Sequence, residues 1–184
     1  MISREEAIEL LNKYLKDEEN LKKAVAAEAI MRRIANRLNR DQELWGITGL
    51  LHNIDYEYTE ENPEERGSLS YQLITGLLPD AGVNAIMGTN YVYTEYVPVR
   101  SIDKALIAIV SLIKLIFKII KSTSSQKISD VELPVLYEKF KDTTYIELSD
   151  QKKIGLINDI GINEQEFLKI SLDALKEISN EIDI

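Results

Sequence analysis

The sequence predicts an all-α protein, and three observations carry that expectation. Apolar residues recur three and four positions apart along nearly the whole chain, the spacing that lines one face of a helix. Residues that start helices, among them Ser3, Asp41, Pro63, Asp80 and Ser101, stand at the heads of those runs. Only one stretch, Tyr91 to Arg100, breaks the pattern.

Ser3 and Glu6 have the spacing of a capping box, and Ala7, Leu10, Leu11 and Tyr14 follow on one face of a first helix. A second helix is expected over about 20–38, with Leu21, Val25, Glu28 and Met31 close to one stripe. Asp41 heads a third, Glu43 to His52, whose apolar end predicts burial. Asn62-Pro63 begins a fourth, because proline suits a first helical turn; it carries Glu64, Glu65 and Arg66 and stops before Leu78-Pro79. Asp80 starts a short fifth helix toward Thr89. Tyr91, Tyr93, Tyr96 and Pro98 make the next stretch an extended connection, packed over the core rather than offered as a binding surface. Ser101 heads a long apolar helix, and Ser122-Thr123-Ser124-Ser125 is a polar linker. Three further helices are expected, over about 131–140, 149–159 and 164–182.

A chain of 184 residues without an internal repeat suits one domain, with a core over about 20–121 and a C-terminal helical extension over about 129–182. The net charge of −9 argues against nucleic acid or an anionic membrane surface as a nonspecific partner. With no cysteine there are no disulfides and no thiolate metal ligands. Acidic residues follow Met1 at once, unlike a signal peptide, so a cytoplasmic location is the default expectation. The segment Ile102 to Ile120 could pass for a membrane span, but Asp103, Lys104, Lys114 and Lys118 interrupt it. Its longest uncharged run, Ala105 to Ile113, is far shorter than the ~20 residues a spanning helix requires. A buried central helix is the expectation.

The single histidine stands in Leu50-Leu51-His52-Asn53-Ile54-Asp55. An apolar run ending in His-Asp would present an imidazole and a carboxylate to one cation from the last turn of a buried helix. Here the carboxylate is the amide of Asn53, a neutral and weak metal donor. Other chemistries have less support. There is no cysteine nucleophile and no G-x-S-x-G elbow, and Gly46-Ile47-Thr48-Gly49 reads as close packing within a helix. Glu64 and Glu65 read as helix N-terminal acids favoured by the dipole.

An ordered set of segments resembles the HD superfamily of metal-dependent phosphohydrolases, in particular its small single-domain branch. The segments are Asn20-Leu21-Lys22-Lys23, Glu28-Ala29-Ile30-Met31-Arg32, Glu43-Leu44-Trp45-Gly46 and Leu50 through Tyr56. They continue with Pro63-Glu64-Glu65-Arg66-Gly67, Asp103-Lys104-Ala105-Leu106, Ile128-Ser129-Asp130-Val131 and Lys139-Phe140-Lys141-Asp142. The resemblance implies an HD-type helical fold in which a histidine, a His-Asp doublet and a distal aspartate hold a divalent metal, with further histidines for a second metal or phosphate. Counted onto this chain, those positions are Lys23, His52-Asn53, Arg66, Thr89 and Val110, and only His52 keeps its residue type. The resemblance therefore implies a divalent-metal cofactor whose ligands this chain lacks, and no bound metal is expected.

Two outcomes are open for the retired site. Lys23 and Arg66 could pair with Glu28, Glu65 or Asp55 while Val110 packs the core. Alternatively Lys23, Arg66 and His52, with Asn53 and Thr89 as neutral partners, form a pocket for a phosphate or nucleotide. The expected function is a binding or regulatory protein that has lost metal and phosphohydrolase activity. The alternatives are an active phosphohydrolase with unusual ligands, acting on a nucleotide or phosphate monoester, and a ligand-free helical interaction or homo-oligomerisation module.

Overall fold

The longest apolar run of the chain becomes the axis of the fold. A computed structural model describes residues 1–184 and contains eleven α-helices and no sheet. In chain order the helices are α1 (Arg4–Tyr14), α2 (Glu18–Arg37), α3 (Gln42–Leu50), α4 (Ser68–Ile74), α5 (Asp80–Gly88) and α6 (Tyr91–Thr94). The remainder are α7 (Ser101–Ser122), α8 (Leu133–Lys141), α9 (Leu148–Gly155), α10 (Glu164–Glu177) and α11 (Ser179–Ile182). No helix is long and apolar enough to cross a membrane.

Helix α7 buries Ile102, Ala105, Leu106, Ile109, Leu112, Ile116 and Ile119, leaving a narrow seam through Val110, Lys114 and Lys118. It packs against α2, α5, α8 and α9. Such burial on nearly every side identifies a core helix. One apolar cluster runs from Ala7 to Ile184 and takes in Phe140, Ile154, Phe167 and Leu172 from the C-terminal helices. The C-terminal extension therefore shares the core of residues 20–121.

Local signals set many helix ends. Ser3 and Glu6 make the reciprocal capping box of α1, and Asp41 Oδ1 accepts from the backbone N–H groups of Glu43 and Leu44. Asp17 caps α2 through Asn20, so that helix starts slightly earlier than expected. Its buried face is centred on Ala27, Ile30, Met31 and Ile34, while Leu21 and Val25 are only half-buried. The approach of α3 to α2 requires Gly49. A Cβ there would lie 2.7 Å from the Ala27 carbonyl oxygen, a backbone atom that cannot step aside.

Several elements differ from expectation. The helix expected from Pro63 is split: Pro63–Glu65 form a single 3-10 turn, Arg66 is extended, and Gly67 turns with φ 86° before α4 begins. The cause is tertiary. Asp55, wholly buried, accepts through Oδ2 from the N–H groups of Gly67 at 2.6 Å and Ser70 at 3.1 Å, so α4 is capped from a distant turn. Ser101 is the first helical residue of α7 rather than its cap. Buried Asp103 fills that role by accepting from Val99 N, Arg100 N and the Tyr96 hydroxyl. These bonds pin the extended 95–100 connection, and burial together with Asp103 pushes the Tyr96 phenol up to about 12. Tyr96 does pack inward, yet Val92 and Tyr93 in one-turn α6 stand 71% and 58% exposed. Finally, α3 ends at Leu50, so His52 lies in the turn beyond it rather than in its last turn.

Candidate functional site

The turn after α3 projects into a cavity of about 420 Å³ between that turn, α2, α7 and α9. Lys23, His52, Asn53, Arg66, Thr89 and Val110 all line it. These residues come from five separate parts of the chain, and the fold brings all six to one place.

His52 is held by the unfinished end of α3. Its Nδ1–H donates to the Gly49 carbonyl at 2.7 Å, because a carbonyl can only accept. Burial pushes the imidazole down to about 4; the Gly49 bond and Asp55 oppose the shift, and Lys23 adds to it. The ring is therefore neutral near pH 7 and its Nε2 carries a lone pair. That nitrogen has no partner in the protein and, unlike Oδ1 of Asn53 or of Asp55, is not sealed from solvent.

Asn53 has a structural task. Its Nδ2 donates to the Asn20 carbonyl at 3.0 Å and ties the turn to the start of α2, while Oδ1 is buried without a partner. The Thr89 hydroxyl donates to the Ile86 carbonyl at 2.7 Å, within the end of α5. Val110 forms a half-buried wall from α7.

The two cations at expected histidine positions differ. Lys23 Nζ pairs with Glu19 at 2.6 Å, a carboxylate held below its usual range by Lys121 and Lys23. Arg66 has no carboxylate partner. Its Nε and Nη2 donate to the hydroxyl and carbonyl of Thr59 at 3.2 and 3.4 Å, and its guanidinium lies 4.2 Å from the Tyr56 ring centroid. Neither cation pairs with Glu28, Glu65 or Asp55. Glu28 binds Arg4 and Arg32, and Asp55 caps α4.

Sequence reasoning missed Lys114, Asp150 and Lys153, which also line the cavity. Lys114 was within reach of it, one helical turn beyond Val110 on the same face of α7. Asp150 and Lys153 arrive on α9, and no local signal connects that helix with His52. Asp150 accepts from Lys114 Nζ at 2.7 Å and from Ser111 Oγ at 3.4 Å, and it raises the Lys114 pKa. Lys153 makes no ion pair. The lining thus holds four cations, Lys23, Arg66, Lys114 and Lys153, against one carboxylate, Asp150.

This donor set does not fit a divalent metal. His52 offers one nitrogen, Val110 offers nothing, Asn53 Oδ1 is sealed, and Asp150 is engaged by Lys114. Nowhere do three His, Asp or Glu side chains gather closely enough to hold a metal ion. Comparison with protein-family models, with curated proteins and with solved structures gave no match.

Proposed function

We propose that this chain is an HD-type helical domain that has left metal-dependent phosphohydrolysis behind and uses the former catalytic cavity to bind a small phosphate-containing anion. The observation that carries this reading is the state of Arg66. A carboxylate is the usual partner of a half-buried arginine; here only neutral groups position it through Nε and Nη2, and no carboxylate meets its remaining N–H groups in the lining of a cavity with three more cations. In a chain of net charge −9, such a concentration of positive charge acts at short range on one bound group. The convergence of the six positions inferred from the HD resemblance supports the ancestry, and their residue types support the loss of metal.

Thermal shift and calorimetry with inorganic phosphate, pyrophosphate, nucleotides and sugar phosphates are the direct test. A ligand at a hundred times its Kd stabilises a fold by ~2.7 kcal/mol. The natural chain should show such a shift, and Arg66→Ala with Lys153→Ala should abolish it. An equal response from both proteins, or none from the natural one, refutes the reading. Stoichiometric Mn, Ni or Zn that is lost in His52→Ala would refute the loss of metal.

A further inference from the structure

Most of the charged groups that line the cavity are donors. Lys23, Lys114 and Lys153 bring ammonium groups and Arg66 brings a guanidinium, none of which can accept a hydrogen bond. Asp150 is occupied by Lys114 and Ser111, and the Thr89 hydroxyl spends its hydrogen on Ile86. Against that background acceptors are few: the Thr89 hydroxyl oxygen and Asn90 Oδ1, on side chains whose hydrogens go to Ile86 and to the Pro63 and Arg66 carbonyls, and one imidazole nitrogen. His52 Nδ1 is committed to the Gly49 carbonyl, which fixes the tautomer and leaves Nε2 as an acceptor. The amide of Asn53 cannot take over this part, because its Nδ2 must face the Asn20 carbonyl and its Oδ1 is closed off. A fully deprotonated oxyanion carries only acceptors, so an oxygen placed beside Nε2 would set lone pair against lone pair. An anion that brings a hydrogen of its own would satisfy both sides.

From this we propose that His52 is a specificity-determining residue of the anion site: its Nε2 selects ligands that combine a phosphate with a hydrogen-bond donor and rejects donorless anions of equal charge. The donor is either the last proton of phosphate itself or a hydroxyl beside it, as in a polyol phosphate. The inference rests on the proposed anion pocket and adds what that pocket discriminates. An acceptor forced against a lone pair loses a hydrogen bond outright, and a loss of that kind corresponds to at least about tenfold in affinity.

Two matched pairs of probes separate the possibilities, measured by calorimetry at constant ionic strength and about pH 8, where a histidine of ordinary pKa is already neutral. Inorganic phosphate and sulfate are then dianions of similar size, and only phosphate keeps a hydrogen. Glycerol phosphate and methyl phosphate are dianionic monoesters, and only glycerol phosphate has hydroxyl groups. The natural chain should prefer the donor-bearing member of at least one pair by about tenfold or more, and the pair that discriminates identifies the source of the hydrogen. His52→Asn keeps an amide to donate to Gly49 and removes the Nε2 acceptor; it should bring both pairs within about twofold while leaving the melting transition cooperative. His52→Gln, whose amide can turn to donate or accept, should also narrow the preference if the asparagine variant fails to fold. Absence of discrimination in both pairs overturns the role of His52 while leaving an anion site standing, as does a preference that survives both variants. Failure of all four probes to bind overturns the anion pocket itself.

Discussion

Two of the concavities that helix α2 borders use charge in opposite ways. The first, about 490 Å³, lies where α2 meets α1, α10 and α11 and is lined by Arg4, Arg32, Arg33, Glu28, Glu177 and Glu181. Every arginine there has a carboxylate: Arg4 binds Glu28 and Glu181, Arg32 binds Glu28 and Glu43, and Arg33 binds Glu177. Across α2, the cavity at His52 leaves Arg66 and Lys153 without one. Size does not separate the two concavities. Charge pairing favours the second, because a cation already matched within the fold gains little from a ligand, whereas an unmatched one has its strongest interaction still to make.

The largest effect should come from the paired side. Glu28 is 3% exposed and joins two arginines, so Glu28→Ala should cost about 3 kcal/mol, the low end for a broken buried pair because Arg4 and Arg32 still reach water. Chemical denaturation would measure the loss, and calorimetry of the same variant should show phosphate affinity unchanged. A variant that lost anion binding would erase the distinction between the two concavities.

Next comes acid. His52 lies near 4 when folded and near 6.5 when unfolded, so between those values the unfolded chain takes up the proton first. Its contribution is absent above about pH 6.5 and becomes increasingly destabilising down to about pH 4. Allowing for hydration through the cavity, the full effect should be about 2 kcal/mol. Glu19 and Glu43, whose pKa values are lowered by their cations, weaken the fold over a lower range as they protonate. The difference between the natural chain and His52→Asn isolates the histidine; superimposable stability curves from pH 7 to about pH 4 would contradict its burial as a neutral ring.

The smallest effect sharpens the comparison most. Arg66→Ala removes a stack on Tyr56 and two bonds to Thr59 but breaks no ion pair, so it should cost only about 1 kcal/mol of stability. Set against Glu28→Ala, it should reverse the ranking: the milder change for the fold is the more damaging one for the anion. Paired denaturation and binding measurements would expose any failure of that reversal.

What the sequence made legible was local. Ser3 and Asp41 mark helix starts because a cap acts within one turn of its own backbone, Asp80 opens α5 as its first residue, and the apolar period of α7 follows from burial on nearly all sides. The break at Arg66 and Gly67 was hidden because its cause is Asp55, which reaches across from another turn. Likewise, Asp103 outcompetes Ser101 as a cap through bonds to a connection that only the folded chain brings close. At the site, the resemblance indicated six positions, and the fold gathers them. It carried no information about α9, whose Asp150 and Lys153 approach His52 only through tertiary packing.

That contribution from α9 also gives the site a readout away from the ligand itself. The helix spans only Leu148–Gly155, is anchored in the core by Ile154, and meets the cavity through Asp150 and its bonds to Lys114 and Ser111. Short, peripheral helices are the parts of a fold that open first. A ligand held by Lys114 of α7 and Lys153 of α9 would tie the two helices together and so lower the rate at which α9 opens. Amide hydrogen exchange in α9 would then slow in proportion to ligand occupancy, so eight residues distant in sequence from His52 would report on the site.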